Sequence, residues 1–139
     1  MSRVYLLDTT VCLDLLRTNA PGIRRKLVAH SKSTIGLSIV TVCELQYGIE
    51  IRAVHHPLLR AREEHLLRMI LVPFDVFPLD HRVVAAYGKV RAHLVQAGQP
   101  IGALDTLIAA QAVSLGAVLV TSNRKEFQRV PGLQVEEWR

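Results

Sequence analysis

Four polar residues interrupt otherwise apolar stretches of this chain, and three of them are carboxylates. Asp8 lies in VYLLDTTVCLDLL, Glu44 in LSIVTVCELQYG, Asp105 in QPIGALDTLIAAQA, and Asn123 directly after AVLVTS. An ionisable group among apolar neighbours is costly unless something compensates its charge. Carboxylates drawn together raise one another's pKa, and a cation relieves the repulsion. For an oxygen-only donor set the fitting cation is hard and divalent, magnesium or manganese. No cluster of His and Cys points to zinc. Each residue also has an ordinary role open to it. Asp8 can cap a helix, Glu44 and Asp105 can be first-turn acids, and Asn123 can sit in a turn. Their conjunction is what argues for a shared site.

The elements that must position them follow from the hydrophobic pattern. Val4 to Leu7 reads as a short buried strand, followed by a helix that Thr10 can cap. Pro21 opens a second helix with Ile23, Leu27 and Val28 on one face. IGLSIV, residues 35 to 40, reads as a strand, and a helix begins at Thr41. His55-His56-Pro57 breaks it, and the amphipathic segment from Pro57 runs to Pro73. This helix pair is placed to form an arm on the side of the domain. A short strand is expected within 74 to 80, then a helix capped by Asp80 and stopped by Gly98. An Ala-rich helix carries Asp105 and ends at Gly116; AVLVT is a strand, NRKEF a turn or short helix, and LQVEEW the last strand. The alternation predicts one domain over residues 1–139, a three-layer α/β/α fold with a mostly parallel sheet of four to five strands. In such a sheet the polar interruptions would share the carboxyl edge of the strands, where these folds place their sites.

Composition sets the outer bounds. The chain has 139 residues, 50% of them hydrophobic and 21% charged, as an ordinary globular domain does. A net charge of +5 makes RNA or DNA a reasonable partner. Cys12 and Cys43 form no CxxC pair and are expected to be buried reduced thiols, which suits a cytoplasmic protein. The first apolar run is too short for a secretory leader, and none approaches the ~20 residues of a membrane helix. His30, His55, His56, His65 and His81 lie in polar or amphipathic contexts and read as surface residues.

The order LLDTTVCLDLL, SIVTVCELQYG, PIGALDTLIAAQA, VLVTSNRKEF and PGLQVEEW resembles the PIN domain along essentially the whole chain. It is most similar to the VapC toxins of bacterial toxin–antitoxin pairs, and within them to the branch that cuts initiator tRNA in the anticodon stem-loop. The resemblance implies a magnesium- or manganese-dependent endoribonuclease that acts on RNA, with tRNA first, and inhibits translation. Asp8 and Asp105 would hold the ion, and Glu44 would bind it directly or through water and accept a proton. The fourth position, often aspartate in the wider family, is Asn123, which leaves open whether one ion or two is held. Thr10 stands where the family often has Asn. Thr9 matches the usual Thr and would orient Asp8, and Thr121 would line the cleft. Arg124 and Lys125 would attract the RNA backbone. The implied partners are a second copy of the toxin, in a homodimer or higher assembly, and a small VapB-like antitoxin. The amphipathic helices at 41 to 53 and 57 to 72 are the candidate docking surface.

Rival readings are weaker. A haloacid-dehalogenase-type phosphohydrolase also has an Asp after its first strand, but it needs a second Asp two residues on, where this chain has Thr10. A catalytically inactive PIN-like module that binds RNA or a partner draws its support from Asn123. A nucleotide-binding module lacks any GxxxxGK[ST] or strand-linked GxGxxG motif.

Overall fold

The computed structural model describes residues 3–139. Its centre is a sheet of five strands, all parallel, in the order β3-β2-β1-β4-β5. The strands are β1 Val4–Leu7, β2 Thr34–Ser38, β3 Asp75–Phe77, β4 Val118–Val120 and β5 Gln134–Glu136. The expected parallel α/β fold is therefore present. β1 lies between β2 and β4, pairing Leu7 with Leu37 on one side and with Val120 on the other. Strand order reverses at β1, and such a switch point opens a crevice at the carboxyl ends of the two strands.

Successive strand residues face opposite sides, so Leu6 and Leu7 feed different cores. Leu7 packs with Val11, Leu15, Leu45, Leu67 and Trp138. Those residues come from α1 Thr9–Arg17, α3 Ile39–His55, α4 Arg60–Leu71 and the C-terminal segment, and α2 Pro21–Ala29 adds Ile23. Leu6 packs on the other face with Val90, Leu94, Ile108, Leu119 and Phe127. Those come from α5 Arg82–Gln96, α6 Ala103–Leu115, β4 and α7 Arg124–Phe127.

Local chemistry moves several expected boundaries. Strand β2 stops at Ser38 rather than at residue 40, because the Ser38 hydroxyl accepts from the Val40 N–H at 3.1 Å and starts α3 two residues early. The cap of α1 is Asp8, not Thr10: its carboxylate accepts from the Val11 N–H at 3.2 Å. The segment from Pro57 begins as a 3-10 turn, Pro57–Leu59, before α4. The α3–α4 pair is packed against α1 rather than held out as an arm, with Leu45, Ile49 and Leu67 in the core and Leu58 at its exposed tip. Val28 is 74% exposed, away from the buried Ile23 face of α2. Cys12 is buried as expected, whereas Cys43 is exposed on α3. The cap position of α5 is His81 rather than Asp80, whose carboxylate instead accepts from the Arg82 N–H at 2.9 Å one residue ahead of the cap, and Gly98 and Gly116 end their helices with positive φ.

The helix bearing Asp105 does not follow a strand. It is the second arm of the α5–α6 hairpin and precedes β4. A helix leading into a parallel strand runs against it, so the start of α6, with Asp105 in its first turn, still lies at the carboxyl edge. Among the described residues no helix is long and apolar enough to cross a membrane.

Gly36 sets how closely β3 can approach. A Cβ there would lie 2.5 Å from the Asp75 carbonyl oxygen and 2.6 Å from the Phe77 ring. Gly36→Ala should push the edge strand away and destabilise the domain by about 1–3 kcal/mol in denaturant titration. An unchanged midpoint would show that β3 yields freely.

Candidate functional site

Asp8 ends the central strand and is 3% exposed. Its N–H donates to the Val120 carbonyl at 2.9 Å, which ties it to β4. One carboxylate oxygen, Oδ1, accepts from the Thr10 hydroxyl at 2.6 Å and from the Val11 N–H. The other, Oδ2, accepts from the Thr121 hydroxyl. Burial pushes the Asp8 carboxyl above its ordinary value, and the hydrogen bonds from Thr10, Thr121 and Val11 pull it part of the way back. Asp8 is thus a helix cap and a buried acid at once.

Glu44 sits in the second turn of α3, half-buried, and its Oε1 accepts from the Thr9 hydroxyl at 2.9 Å. Thr9 therefore positions Glu44 and not Asp8. The residues that hold Asp8 are Thr10 and Thr121. Asp105 is half-buried in the first turn of α6, and its carboxyl is raised to about 6. Burial is the largest cause, followed by the charges of Glu44, Asp8 and then Glu126. Three carboxylates from three other elements thus act on Asp105. The structure brings Asp8, Glu44 and Asp105 to one place.

Glu126 was not singled out in the sequence. It lies in α7, and the Asn123 side-chain amide donates to its Oε2 at 2.8 Å. Asn123 is thus at the cleft as a donor that steadies an acid, and the fourth carboxylate comes from three residues further on. The signal was available in SNRKEF, as an acid one helical turn after Asn123. Thr121 is fully buried and lines the cleft floor through its bond to Asp8. Arg124 and Lys125 are exposed on the same short helix as Glu126.

The donor set is oxygen throughout, with no imidazole or thiolate among Asp8, Glu44, Asp105 and Glu126. That suits magnesium or manganese. Among the described residues no group of three or more His, Cys, Asp or Glu side chains is gathered closely enough to hold a metal ion. Beside the cleft, α1, α3 and α4 enclose a largely apolar groove of about 300 Å³, lined by Thr9, Leu13, Glu44, Tyr47 and Leu66. The Arg52–Glu63 ion pair lies in its wall.

Residues 5–133 match the PIN domain family. The chain is 32% identical over 134 residues to a tRNA(fMet)-specific endonuclease VapC of Salmonella typhimurium, covering 96% of this chain and 97% of that protein. It is 32% identical to Ribonuclease VapC2 of Rickettsia felis, covering 97% and 98%. A crystal structure of VapBC2 from Rickettsia felis bound to a DNA fragment from their promoter matches with a TM-score of 0.91 and 31% identity, covering 98% of this chain and 99% of that chain. A structure of DNA-bound VapBC from Salmonella typhimurium matches with a TM-score of 0.89 and 30% identity over the full length of both chains.

The raised Asp105 carboxyl has a consequence for stability. An acid whose pKa lies higher in the folded state than the ordinary 3.8 destabilises the fold when ionised. The penalty is complete above about 6 and vanishes below the ordinary value. In EDTA at pH 7.5, Asp105→Asn should therefore be more stable than wild type by about 1–2 kcal/mol after solvent screening. The gain should shrink as pH falls from 6 to 4 in paired thermal melts. A gain independent of pH would mean that the charge is not its source.

Proposed function

Because this chain belongs to the PIN domain family, we propose that it is a metal-dependent endoribonuclease and the toxin of a toxin–antitoxin pair. The observation that carries the reading is the meeting of Asp8, Glu44, Asp105 and Glu126 at the switch point of a parallel sheet, marked by the raised Asp105 carboxyl. The substrate is tRNA, with initiator tRNA first, in line with the name of the Salmonella relative, and the anticodon loop is the proposed place of cutting. The presence of Glu126 removes the main support for an inactive binding module, which was the lack of an acid at Asn123.

Asp8 and Asp105 would hold a magnesium or manganese ion, with Glu44 and Glu126 as further carboxylates that would reach it directly or through water. When bound, the ion supplies a Lewis acid for the phosphodiester and offsets the charge that develops in the transition state. The chain's own groups do the rest. Glu44, with Oε1 held by Thr9, keeps Oε2 available to take the proton of the attacking water. Asn123 keeps Glu126 turned toward the cleft. Arg124 and Lys125 draw the phosphate backbone to the rim, an effect that weakens with salt.

The partner is a VapB-like antitoxin, in keeping with the VapBC complexes this chain resembles. Its seat is the apolar groove between α1, α3 and α4. Thr9 and Glu44 line that groove as well as the cleft, so an occupant would lie against the catalytic acids. A second copy of the toxin would join it, in a homodimer or a higher toxin–antitoxin assembly.

Purified protein with total tRNA and magnesium or manganese should give discrete fragments. EDTA should abolish them, and Asp8→Asn should slow cutting by at least roughly a hundredfold. Equal cutting by the variant would refute the assigned site. Glu126→Gln should cut more slowly than wild type but faster than Asp8→Asn. In isothermal titration, Leu66→Arg should weaken antitoxin binding by about tenfold or more; unchanged affinity would move the seat elsewhere.

A further inference from the structure

We propose that Thr10 and Thr121 are positioning residues, forming two hydroxyl relays that fix Asp8 and leave one acceptor position, on Oδ2, for the metal ion. The proposal rests on the metal reading above. A threonine hydroxyl both donates and accepts, whereas an ionised carboxylate only accepts and a backbone N–H only donates. Those constraints settle the direction of each relay. The Ser122 N–H donates to Thr10 Oγ1 at 3.1 Å, and Thr10 donates its single proton to Asp8 Oδ1 at 2.6 Å. The Asn123 N–H donates to Thr121 Oγ1 at 2.8 Å, and Thr121 donates to Asp8 Oδ2.

Each hydroxyl proton is committed, because the N–H behind it occupies the acceptor side. Hydrogen bonds in series also polarise one another, so each hydroxyl is a better donor to Asp8 than it would be alone. Counting lone pairs then gives the outcome. Oδ1 is filled by Thr10 and by the Val11 N–H. Among the described residues Oδ2 accepts from Thr121 alone. A carboxylate offers about four acceptor positions, so one remains, and Asp8 serves as a ligand through a single oxygen. The relays also join Asp8 to the segment from Thr121 to Glu126, so two walls of the cleft form one hydrogen-bonded unit.

The test uses the whole purified chain, with manganese binding by isothermal titration and tRNA cleavage kinetics. Thr10→Val and Thr121→Val keep the side-chain shape and remove the hydroxyl; Thr10→Ser and Thr121→Ser keep the hydroxyl. Each Val variant should bind manganese about 10- to 100-fold more weakly. Each should lose kcat by a similar factor while KM for tRNA stays within about threefold, and each Ser variant should recover most of both. Thr121 is fully buried, so if its Val variant does not fold by circular dichroism, the half-buried Thr10 carries the test. Manganese binding lost in Asp8→Asn but retained in the folded Val variants would overturn the relays alone. So would Ser variants as impaired as Val. Equal binding by wild type and Asp8→Asn would overturn the metal reading and the relays together.

Discussion

A carboxylate 3% exposed at the end of the central strand can stay charged only if donors reach it from several directions. Asp8 receives them from three places in sequence: Thr10 beside it, the Val11 N–H that opens α1, and Thr121 from the far side of the β1–β4 pairing. Each requires a different part of the fold to be complete. Helix α1 must start at residue 9, β4 must pair with β1 in register, and the turn after β4 must bring the Ser122 and Asn123 N–H groups behind the threonine hydroxyls. The polar organisation of the cleft follows from satisfying one buried charge.

The second acid works the other way. Among the described residues Asp105 has no side-chain partner comparable to those of Asp8, and its neighbours Glu44, Asp8 and Glu126 repel its charge. Asp8 is therefore held in place and Asp105 held under electrostatic tension. A cation relieves that tension and gains from the fixed geometry of Asp8. Under the proposed reading, the local cost that the fold bears without metal would return as affinity for a divalent ion, a common trade between stability and function at such sites.

Much of this was legible in the sequence because three acids stand inside apolar runs, where a charge is conspicuous. Strand β1 was readable to the residue, since VYLL is apolar on both faces and Asp8 ends it. The start of α3 was not: Ile39 and Val40 look like continued strand, and only the Ser38 hydroxyl shows that the helix has begun. Glu126 escaped because RKEF is short and highly charged and reads as a solvated turn; only the Asn123 contact gives it a role. Thr9 was expected to orient Asp8, and it reaches Glu44 instead for a geometric reason. Neighbours at a helix start point about 100° apart, so one reaches Glu44 and the other Asp8. Sequence shows which residues are near a helix start, but not which carboxylate each one faces.

The four acids come from β1's end, α3, α6 and α7, elements that belong to both faces of the sheet. No local segment can assemble the cleft, so its geometry reports on the packing of both cores. Beside the strands β1 and β4, helix α3 contributes to both. Val40 packs with the Leu6 core, while Leu45 and Ile49 pack with the Leu7 core. Glu44 lies between those anchors, one residue from Leu45, and its carboxylate is also a wall of the apolar groove. A partner seated in that groove presses on a helix that is held at both ends by buried contacts. Under the proposed reading such a partner would act mainly by occupying space beside Glu44 and Thr9 rather than by shifting α3, because moving that helix would disturb both cores at once.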